Sequence, residues 1–345
     1  MHHIFRRTLI RGAAASLCAP TILSRRAAAA EKIVMIGWGG TTQEAENRSF
    51  IDAYQTETGN TVVVTDGPDL GKLKAQIMNG APEWDVLELP GPQAISAERQ
   101  GLLEKLDTKI VDTADMFIPA RQASAPFYVY PGGIAYDPTR QPAEKTPRSW
   151  PQFWDPIGFP GRRGLRTRPD ETLEIALMGD GVDPKKLYPL DVDRAFKALD
   201  RIKPHVGKWI AGTPETITLL QNKEIDFVYT YSGRVEAAKK QGLSVAFVYE
   251  NTLVTPSHIC VGKGTQLRES AMKLVADYLR PDLQAKYCNI TGYGPTKRAA
   301  TAMLSDWAKG QQANIDDPHT AVTDVEWWAD NYPSVSKRFK EWLIQ

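Results

Sequence analysis

The chain has 345 residues, of which 42% are hydrophobic and 24% are charged, and its formal net charge is +1. This balance argues against a nucleic-acid-binding protein, because no basic stripe or basic tail stands out along the sequence. The length is enough for two domains of ordinary size. Beyond the N-terminal segment, no apolar run approaches the ~20 residues that a membrane-spanning helix needs.

The first thirty residues have the pattern of an export signal. Residues 5–11 read FRRTLIR, which resembles a twin-arginine export motif, and a short apolar segment follows at 12–23. Arg25 and Arg26 then precede four alanines that offer A-x-A cleavage sites. The sequence therefore predicts that residues 1–30 are a twin-arginine-type signal peptide and that the mature protein is periplasmic. The alternative is an uncleaved amphipathic N-terminus.

Strands and helices alternate from the start of the predicted mature chain. Residues 32–38, 61–66 and 84–90 are apolar runs typical of buried strands, and each is followed by a helical pattern. The first helix is predicted over 41–58, with Thr41 and Glu44 as a capping box and Gly59 as its end. This alternation predicts an α/β fold with a parallel sheet.

The second half continues the alternation with less regular spacing. Residues 127–138 read FYVYPGGIAYDP, which predicts two short strands on either side of a Gly-Gly pair. Further strands are predicted at 208–212, 226–231, 243–249 and 257–262. A helix with Thr213 as its N-cap lies between the first two of these. A long helix over 267–280 and a tryptophan-rich helix at the end complete the chain.

The cysteine and histidine patterns favour neither a metal nor a cofactor. Cys260 and Cys288 are the two cysteines that follow the export segment, and the sequence leaves open whether they form a disulfide. No C-x-x-C or H-E-x-x-H pattern occurs, so no metal site is predicted.

Five segments in this order carry a family resemblance. They read IGWGG (36–40), WDVLELPGPQAI (84–95), SWPQFWDP (149–156), NITGYGPTKRAA (289–300) and EWWADNYPSVSKRFKEWL (326–343). Together they resemble the type II periplasmic solute-binding proteins of ABC importers, and most of all the spermidine/putrescine-binding branch. The resemblance implies an α/β fold of two lobes, joined by two crossing strands, with a ligand cleft between the lobes.

The resemblance also implies a function, partners and lobe boundaries. The expected function is capture of a small polar organic solute, polyamine-like or amino-containing, for an inner-membrane permease and ATPase. The expected state is a monomer without a cofactor. The crossings fall near Gly132–Tyr136 and Leu253–Ser257, which gives 31–132 with 257–300 as lobe one. Lobe two is then 133–256 with 301–345, and the last helix folds back on it.

On lobe one, the resemblance places ligand-binding residues in two loops that follow strands. Trp38 matches an aromatic residue of the first loop, and Gly39 and Thr41 lie beside it. Gly91 and Gln93 fall in the second loop, where the tyrosine of the family is lost. Ligands of open α/β sheets bind at the carboxyl ends of strands, which supports this position. A tryptophan there can stack on an ammonium group or pack between the lobes.

On lobe two, the resemblance points to acids and tyrosines. Glu171 matches an acid at the start of a helix, with Asp170 beside it, and Tyr231 falls where the branch has tryptophan. Tyr293 matches the tyrosine of the G-Y-x-P loop. The two acids have an alternative role, because negative charge at a helix N-terminus is stabilising by itself. Tyr231 also fits an ordinary strand residue.

Two departures from the family bear on the charge of the ligand. Thr255 and Ser257 stand where the family has a tryptophan and an aspartate that hold one amino end. Arg166 and Arg168 stand just before the two acids, and an arginine fork suits a carboxylate. Either the acids pair with these arginines, or the site has both signs and takes a zwitterion. The sequence leaves this choice open.

Rival functions have weaker support in the sequence. A ferric-ion binder of the same fold uses adjacent tyrosines, whereas Thr230 separates Tyr229 from Tyr231. No G-x-S-x-G nucleophile pattern occurs, and the histidines after the export segment have no partner pattern, so the chain is not expected to be an enzyme. A periplasmic sensor shares the binding fold and is not separable from an importer component by sequence.

Overall fold

The computed structural model describes residues 30–313 and 317–345, so residues 1–29 of the predicted signal peptide lie outside the described chain. The strands are β1 (Lys32–Gly37), β2 (Thr61–Asp66), β3 (Val86–Pro90), β4 (Ser124–Tyr136), β5 (Arg163–Arg166), β6 (Val206–Ile210), β7 (Phe227–Tyr231), β8 (Ala246–Val261), β9 (Gly294–Pro295) and β10 (Ala321–Val322). No helix in the two described ranges is long and apolar enough to cross a membrane.

The helices alternate with these strands. They are α1 (Gly40–Glu46), α2 (Asp52–Thr58), α3 (Leu70–Met78), α4 (Gly91–Arg99), α5 (Trp150–Phe153), α6 (Thr172–Gly179), α7 (Val192–Ile202), α8 (Glu215–Gln221), α9 (Ser232–Lys240), α10 (Arg268–Tyr278), α11 (Pro281–Thr291), α12 (Arg298–Thr301), α13 (Asp306–Gly310) and α14 (Val325–Leu343). A π-helical segment, Asn47–Ile51, joins α1 to α2.

The described strands form one mixed sheet in the order β2-β1-β3-β8-β4-β7-β5-β6, with β10 beside β8 and β9 beside β4. The predicted parallel pairing occurs at both flanks, where β2-β1-β3 and β7-β5-β6 run parallel. Strands β8 and β4 pair antiparallel to each other. On their outer sides, β8 pairs antiparallel with β3, and β4 pairs antiparallel with β7. The α/β fold predicted from the sequence is therefore confirmed, with two long strands linking the flanks.

Strands β4 and β8 are continuous, and the prediction of two short strands around Gly132 and Gly133 is wrong. In this register Tyr128 pairs with Ser257, and Gly132 pairs with Leu253. A Cβ atom on Gly132 would lie 2.0 Å from the Tyr229 hydroxyl oxygen, and one on Gly133 would lie 2.6 Å from the Phe247 ring. The two glycines therefore admit close side-chain packing over the strand and do not end it.

Two predicted helix caps are wrong. Helix α1 begins at Gly40 after Gly39, which has φ 66°, and no side chain caps it, so Thr41 and Glu44 form no capping box. Helix α8 begins at Glu215 without a side-chain cap, so Thr213 is not its N-cap. Gly59 ends α2 in the left-handed conformation with φ 75°, as predicted. The first turn of α1 therefore keeps free N–H groups at the carboxyl edge of the sheet.

Cys260 and Cys288 are both buried free thiols. The Cys260 thiol donates a hydrogen bond to the carbonyl oxygen of Leu87, at 3.3 Å, in the neighbouring strand β3. The structure therefore answers the question that the sequence left open, and both cysteines contribute as small buried side chains.

Helix α14 contacts both flanks of the sheet. Near its start, Glu326 forms ion pairs with Arg99 and Arg121 on the β1-β2-β3 side. Near its end, the Trp342 ring lies 5.4 Å from that of Trp209 in β6. Between these points, the indole N–H of Trp328 donates to Glu174, at 2.6 Å. The boundaries of the two lobes stay a prediction, and α14 is an element that any relative movement of the flanks would involve.

The hydrogen bond from Trp328 of α14 to Glu174 predicts that the stability of the protein depends on pH. Burial raises the pKa of Glu174 to about 7, against the hydrogen bonds that it accepts from Tyr188 and Trp328. The folded state therefore binds more protons than the unfolded state between pH 4.5 and 7, and stability falls as pH rises through this window. Glu174→Gln keeps both accepted hydrogen bonds and removes the ionisation. Because the variant lacks this ionisation, we expect its stability relative to the wild type to rise by about 1–3 kcal/mol from pH 5 to pH 8.

Urea unfolding at pH 5 and pH 8 measures this effect. The stability of the variant relative to the wild type should be lower at pH 5 than at pH 8. An unchanged difference between the two proteins at both pH values would show that Glu174 does not carry the dependence. Glu250→Gln, at a half-exposed residue paired with Arg148, is the matched control and should change little.

Candidate ligand-binding site

The candidate site lies where three strands end and the next helices begin. Trp38 follows the last residue of β1, Pro90 ends β3, and Tyr231 ends β7. Helices α1, α4 and α9 start within three residues of these strand ends. Strand β7 runs opposite to β1 and β3, and Pro90 pairs with Ser257 while Tyr231 pairs with Gly132. The carboxyl ends of the two flanks, with the helix N-termini that follow them, therefore face each other midway along β4 and β8, and carboxyl ends of strands are the usual position of ligand sites in α/β sheets.

A small inner cavity of ≈ 20 Å³ lies at these strand ends, between the two flanks of the sheet. Its lining is rich in aromatic and hydroxyl groups, and consists of Trp38, Thr42, Pro90, Tyr128, Tyr130, Arg168, Thr213, Tyr231, Arg234, Ser257 and Tyr293. A cavity of this size has room for about one water molecule. A ligand therefore enters only if the surrounding elements move apart.

A larger outer cavity of ≈ 1010 Å³ adjoins the inner one. Trp38 and Arg168 line both cavities and separate them, and Gln93 and Tyr332 line the outer one. The guanidinium carbon of Arg168 lies 5.4 Å from the centroid of the Trp38 ring. This stacking is a cation–π contact, so Trp38 is already occupied by a protein cation on one side.

Arg168 is neutralised by the two acids that follow it. Its Nη2 lies 2.7 Å from Glu171 Oε2, and its Nε lies 3.5 Å from Asp170 Oδ2. Burial alone would lower the pKa of Arg168, but these carboxylates raise it well above its usual value. Burial also raises the pKa of Asp170 to about 6, with Arg168 acting against the shift. Of the two alternatives left by the sequence, the structure shows the ion pair for Arg168. Arg166 forms an ion pair with neither acid; its Nη2 donates to the Ala211 carbonyl oxygen at 2.7 Å, and its Nε and Nη1 have no partner in the described chain.

Glu171 accepts further hydrogen bonds from two tyrosines that line the inner cavity. Tyr231 donates to its Oε2 at 2.8 Å, and Tyr130 donates to its Oε1 at 3.2 Å. Arg168 in turn donates to the Tyr231 hydroxyl oxygen at 3.0 Å. Glu171 has φ 72°, a left-handed conformation that is rare outside glycine and that costs ~1–3 kcal/mol. Strain at such a residue persists because several side chains hold the carboxylate in place.

A second pair of acids lies behind the floor of the inner cavity. Glu88 is fully buried in β3, and its Oε1 accepts hydrogen bonds from Tyr128 at 2.7 Å and Ser257 at 2.8 Å. Glu46, at the end of α1, is also buried and accepts from Tyr278 at 3.3 Å. Burial raises the pKa of both carboxyls, and for Glu46 the neighbouring Glu88 adds to the increase. The two acids therefore behave as a coupled pair.

Arg234 is the cation of the inner cavity that forms no ion pair with a described residue, although its charge acts at longer range on Glu46 and Glu88. It lies in the first turn of α9, is 4% exposed, and forms no ion pair within 4.0 Å among the described residues. Its Nη2 donates to the Gly39 carbonyl oxygen at 3.5 Å, and its Nε has no partner there. A buried guanidinium in this state favours an anion beside it, because burial of an unpaired charge is costly.

The residues predicted from the sequence divide into two groups. The structure brings Trp38, Arg168, Tyr231, Ser257 and Tyr293 together around the inner cavity. Glu171 and Asp170 lie directly behind Arg168. Gln93 lines only the outer cavity.

The other predicted residues line neither cavity. Gly39 contributes its carbonyl oxygen to Arg234. Thr41 lies on α1 beside Thr42, which lines the inner cavity in its place. Gly91 packs against Val325 and Pro256, and the Thr255 hydroxyl bonds to Thr323 at 2.7 Å.

Several site residues escaped the sequence analysis. Tyr128 and Tyr130 alternate along β4, so both point to one face, and this period of two was readable in FYVYPGG. Glu88 is the one charged residue in the apolar strand VLELP. Arg234 follows the last residue of β7 by three positions and lies in the first turn of the next helix. Thr42, Thr213 and Glu46 had no comparable signal.

Trp38 is half-buried and belongs to the cavity walls, so its removal should affect binding more than folding. We expect Trp38→Ala to weaken ligand binding by at least ~1 kcal/mol, because both the ring face and its buried area are lost. Calorimetric titration and a thermal melt of the same preparation measure the two effects separately. A variant that unfolds easily but binds normally when folded would assign Trp38 to the core.

The fold and the charged aromatic cavity between the two flanks define the class of the protein, a two-lobed solute-binding protein. Residues 49–321 match the family described as "Bacterial extracellular solute-binding protein". The chain belongs to this family.

Three proteins show how the chain relates to others of the class. The gamma-aminobutyric acid-binding protein of Pseudomonas aeruginosa is 30% identical over 99% of this chain and 97% of its own length. The structure of the periplasmic binding protein AgtB from A. tumefaciens R10 in complex with agropinic acid is 31% identical, with a TM-score of 0.85 over 91% of this chain and 99% of AgtB. The spermidine/putrescine-binding periplasmic protein of Escherichia coli is 22% identical over 81% of this chain and 83% of its own.

The predicted class and its function are thereby confirmed. The protein is a solute-binding protein of the ABC-transporter type, which acts in the periplasm on a small-molecule ligand together with a permease. The structure with the TM-score of 0.85 is a complex with a ligand. Binding proteins of this class close around their ligands, so this similarity agrees with the small volume of the inner cavity.

Proposed function

We propose that the protein captures a small amino-carboxylate, with its carboxylate on Arg234 and its ammonium group among the tyrosines of the inner cavity. The observation that carries this proposal is the buried, unpaired guanidinium of Arg234. An arginine fork binds a carboxylate through two parallel hydrogen bonds. Arg168 is less suited to this role, because Asp170 and Glu171 already pair with it.

The aromatic walls favour a cation at the opposite end of the ligand. Tyr128 and Tyr293 stack with their ring centroids 5.1 Å apart, and Tyr130 packs edge-to-face on Tyr231 at 4.9 Å. Such faces attract ammonium groups by ~0.5–2 kcal/mol. A ligand with both charges is thus matched at both ends.

A polyamine is matched less well. The second ammonium group of a polyamine would meet Arg234 where an amino-carboxylate presents its carboxylate, and like charges repel. The relatives support this choice, since the 30% identical protein is named for γ-aminobutyrate and the 31% identical structure holds agropinic acid, whereas the spermidine/putrescine-binding relative is 22% identical.

Calorimetric titration of the mature protein with γ-aminobutyrate, putrescine, butyrate and spermidine tests the proposal. Putrescine has an ammonium group in place of the carboxylate, and butyrate lacks the ammonium group. We expect γ-aminobutyrate to bind at least about 100-fold more tightly than either, which is ~2.7 kcal/mol. Micromolar or tighter binding of spermidine or putrescine would overturn the proposal.

We further propose that the permease works with an ATPase as an importer, that the binding protein is a monomer, and that it catalyses no reaction. Light scattering of the purified protein measures its oligomeric state, and a dimer would contradict the second part.

Loss of uptake in a strain without the permease would distinguish an importer component from a sensor.

The twin-arginine export route is also a proposal, because it rests on residues outside the described chain. Replacing Arg6 and Arg7 by lysine should leave the precursor in the cytoplasm, since this route reads the arginine pair itself. Immunoblots of cytoplasmic and periplasmic fractions measure the distribution. Mature protein that still reaches the periplasm would show a different route.

A further inference from the structure

The hydroxyl groups on one side of the inner cavity share an orientation. Tyr128 and Ser257 donate their protons to Glu88 Oε1, and Tyr130 donates to Glu171 Oε1. All three residues line the cavity, and both glutamates are buried behind it. A hydroxyl has one proton, so these oxygens have only lone pairs left to offer.

These hydrogen bonds keep their direction as long as Glu88 Oε1 carries no proton. Its Oε1 accepts from both hydroxyls, whereas its Oε2 is buried and has no donor among the described residues. A proton that Glu88 binds on Oε2 leaves Oε1 an acceptor. Burial raises the pKa of the Tyr128 hydroxyl well above its usual value, with the Glu88 carboxylate adding to the increase, so Tyr128 stays a donor toward Glu88.

The cavity lining also has donors. Arg234 carries five N–H groups, and its Nε has no partner in the described part of the chain. The Thr213 hydroxyl also lines the cavity and is without a partner there. The lining therefore offers both oriented acceptors and unpaired donors to a ligand.

We propose that Glu88 is a specificity-determining positioning residue, which turns the Tyr128 and Ser257 hydroxyls into acceptors for the N–H groups of the ligand's ammonium end. This inference rests on the proposed amino-carboxylate ligand and adds how its two ends are distinguished. The cavity selects an ammonium group that has N–H donors over a quaternary ammonium group of the same charge. The missing aspartate at position 257 is thereby replaced by a buried glutamate that acts through a serine and a tyrosine.

The test uses two probes that have the same charges and differ, among polar groups, only in the N–H donors of the ammonium end. They are γ-aminobutyrate and its trimethylammonium analogue, 4-(trimethylammonio)butyrate, titrated calorimetrically into the mature protein. The wild type should prefer γ-aminobutyrate. Ser257→Ala and Tyr128→Phe should each weaken γ-aminobutyrate binding by about tenfold and change the affinity for the analogue by less than about twofold.

The matched control is Ser124→Ala. Ser124 is a buried serine on β4 whose hydroxyl bonds to His258 at 3.2 Å and lines neither cavity. This variant should leave the ratio of the two affinities unchanged. Glu88→Met frees both hydroxyls to turn and should reduce the ratio as the Ser257 and Tyr128 variants do. If Glu88→Met does not fold, those two variants decide the question.

The possible failures are distinguishable. If the wild type binds neither probe, the proposed ligand class is wrong and this inference falls with it. If the wild type binds γ-aminobutyrate but Ser257→Ala and Tyr128→Phe weaken both probes equally, the hydroxyls are merely structural and this inference alone is overturned. The same conclusion follows if Ser124→Ala alters the ratio as strongly.

Discussion

Arg234→Gln should weaken γ-aminobutyrate binding by about 100-fold or more, because a desolvated carboxylate would lose its charged partner. Truncating one member of a buried charge pair typically costs ~2–5 kcal/mol of binding. The fold should survive, since Arg234 forms no ion pair with any described residue and its main hydrogen bond, to Gly39, is 3.5 Å long. Calorimetric titration measures the affinity, and a thermal melt without ligand measures the fold.

Two further variants sharpen this test. Arg234→Lys keeps the charge but loses the planar fork, so its affinity should lie between those of the wild type and the glutamine variant. Arg148→Gln removes an arginine from an exposed pair with Glu250 and should leave binding unchanged. If Arg234→Gln binds γ-aminobutyrate with normal affinity, the carboxylate of the ligand does not bind to Arg234.

Those parts of the site that follow directly from strand ends were predictable from the sequence. Trp38 comes directly after a buried strand and Tyr231 ends one, and ligands of α/β sheets bind at the carboxyl ends of strands. That the ends of β1 and β7 face each other follows from the long strands β4 and β8, which reverse the direction of the sheet between the flanks. The local pattern of apolar runs and glycines was enough to find these ends. It also gave the α/β class, because strands and helices alternate with short connections.

Contacts between distant segments were not predictable in this way. Glu46 and Glu88 lie on a helix and a strand that have no shared sequence pattern, and only packing brings them together. Helix α14 packs between both flanks of the sheet, although its tryptophan spacing predicts only that one face is buried. A periodic pattern shows that a surface is covered and does not name the surface that covers it.

The pairing of Arg168 was a third kind of case, in which proximity in sequence left two outcomes open. Arg168 precedes Asp170 and Glu171 by two and three residues, so an ion pair was possible, and so was an arginine directed at a ligand. The left-handed conformation of Glu171 turns its carboxylate toward Arg168 and two tyrosines. Such a backbone conformation is rare for a non-glycine residue, so the sequence alone gave no reason to expect it.

Arg168→Gln should therefore destabilise the protein by about 3–5 kcal/mol, because it leaves two buried carboxylates without their cation. Asp170 and Glu171 are 0% and 1% exposed, so water replaces little of the lost interaction. The matched control is Arg148→Gln, whose pair with Glu250 is about half exposed. That variant should lose less than about 1 kcal/mol.

The loss in Arg168→Gln should depend on pH with a definite sign. The folded-state pKa of Asp170 is already raised to about 6 by burial, although Arg168 acts against the shift, so removal of Arg168 raises it further. A raised folded pKa means that the folded state binds more protons, so stability is lost as pH rises above the unfolded value of about 3.9 and through the folded pKa. Urea unfolding should therefore show a larger deficit at pH 8 than at pH 5, and adding Asp170→Asn should recover part of it. A stable Arg168→Gln protein with an altered ligand preference would instead show that Arg168 contacts the ligand, which is the other alternative that the sequence left open.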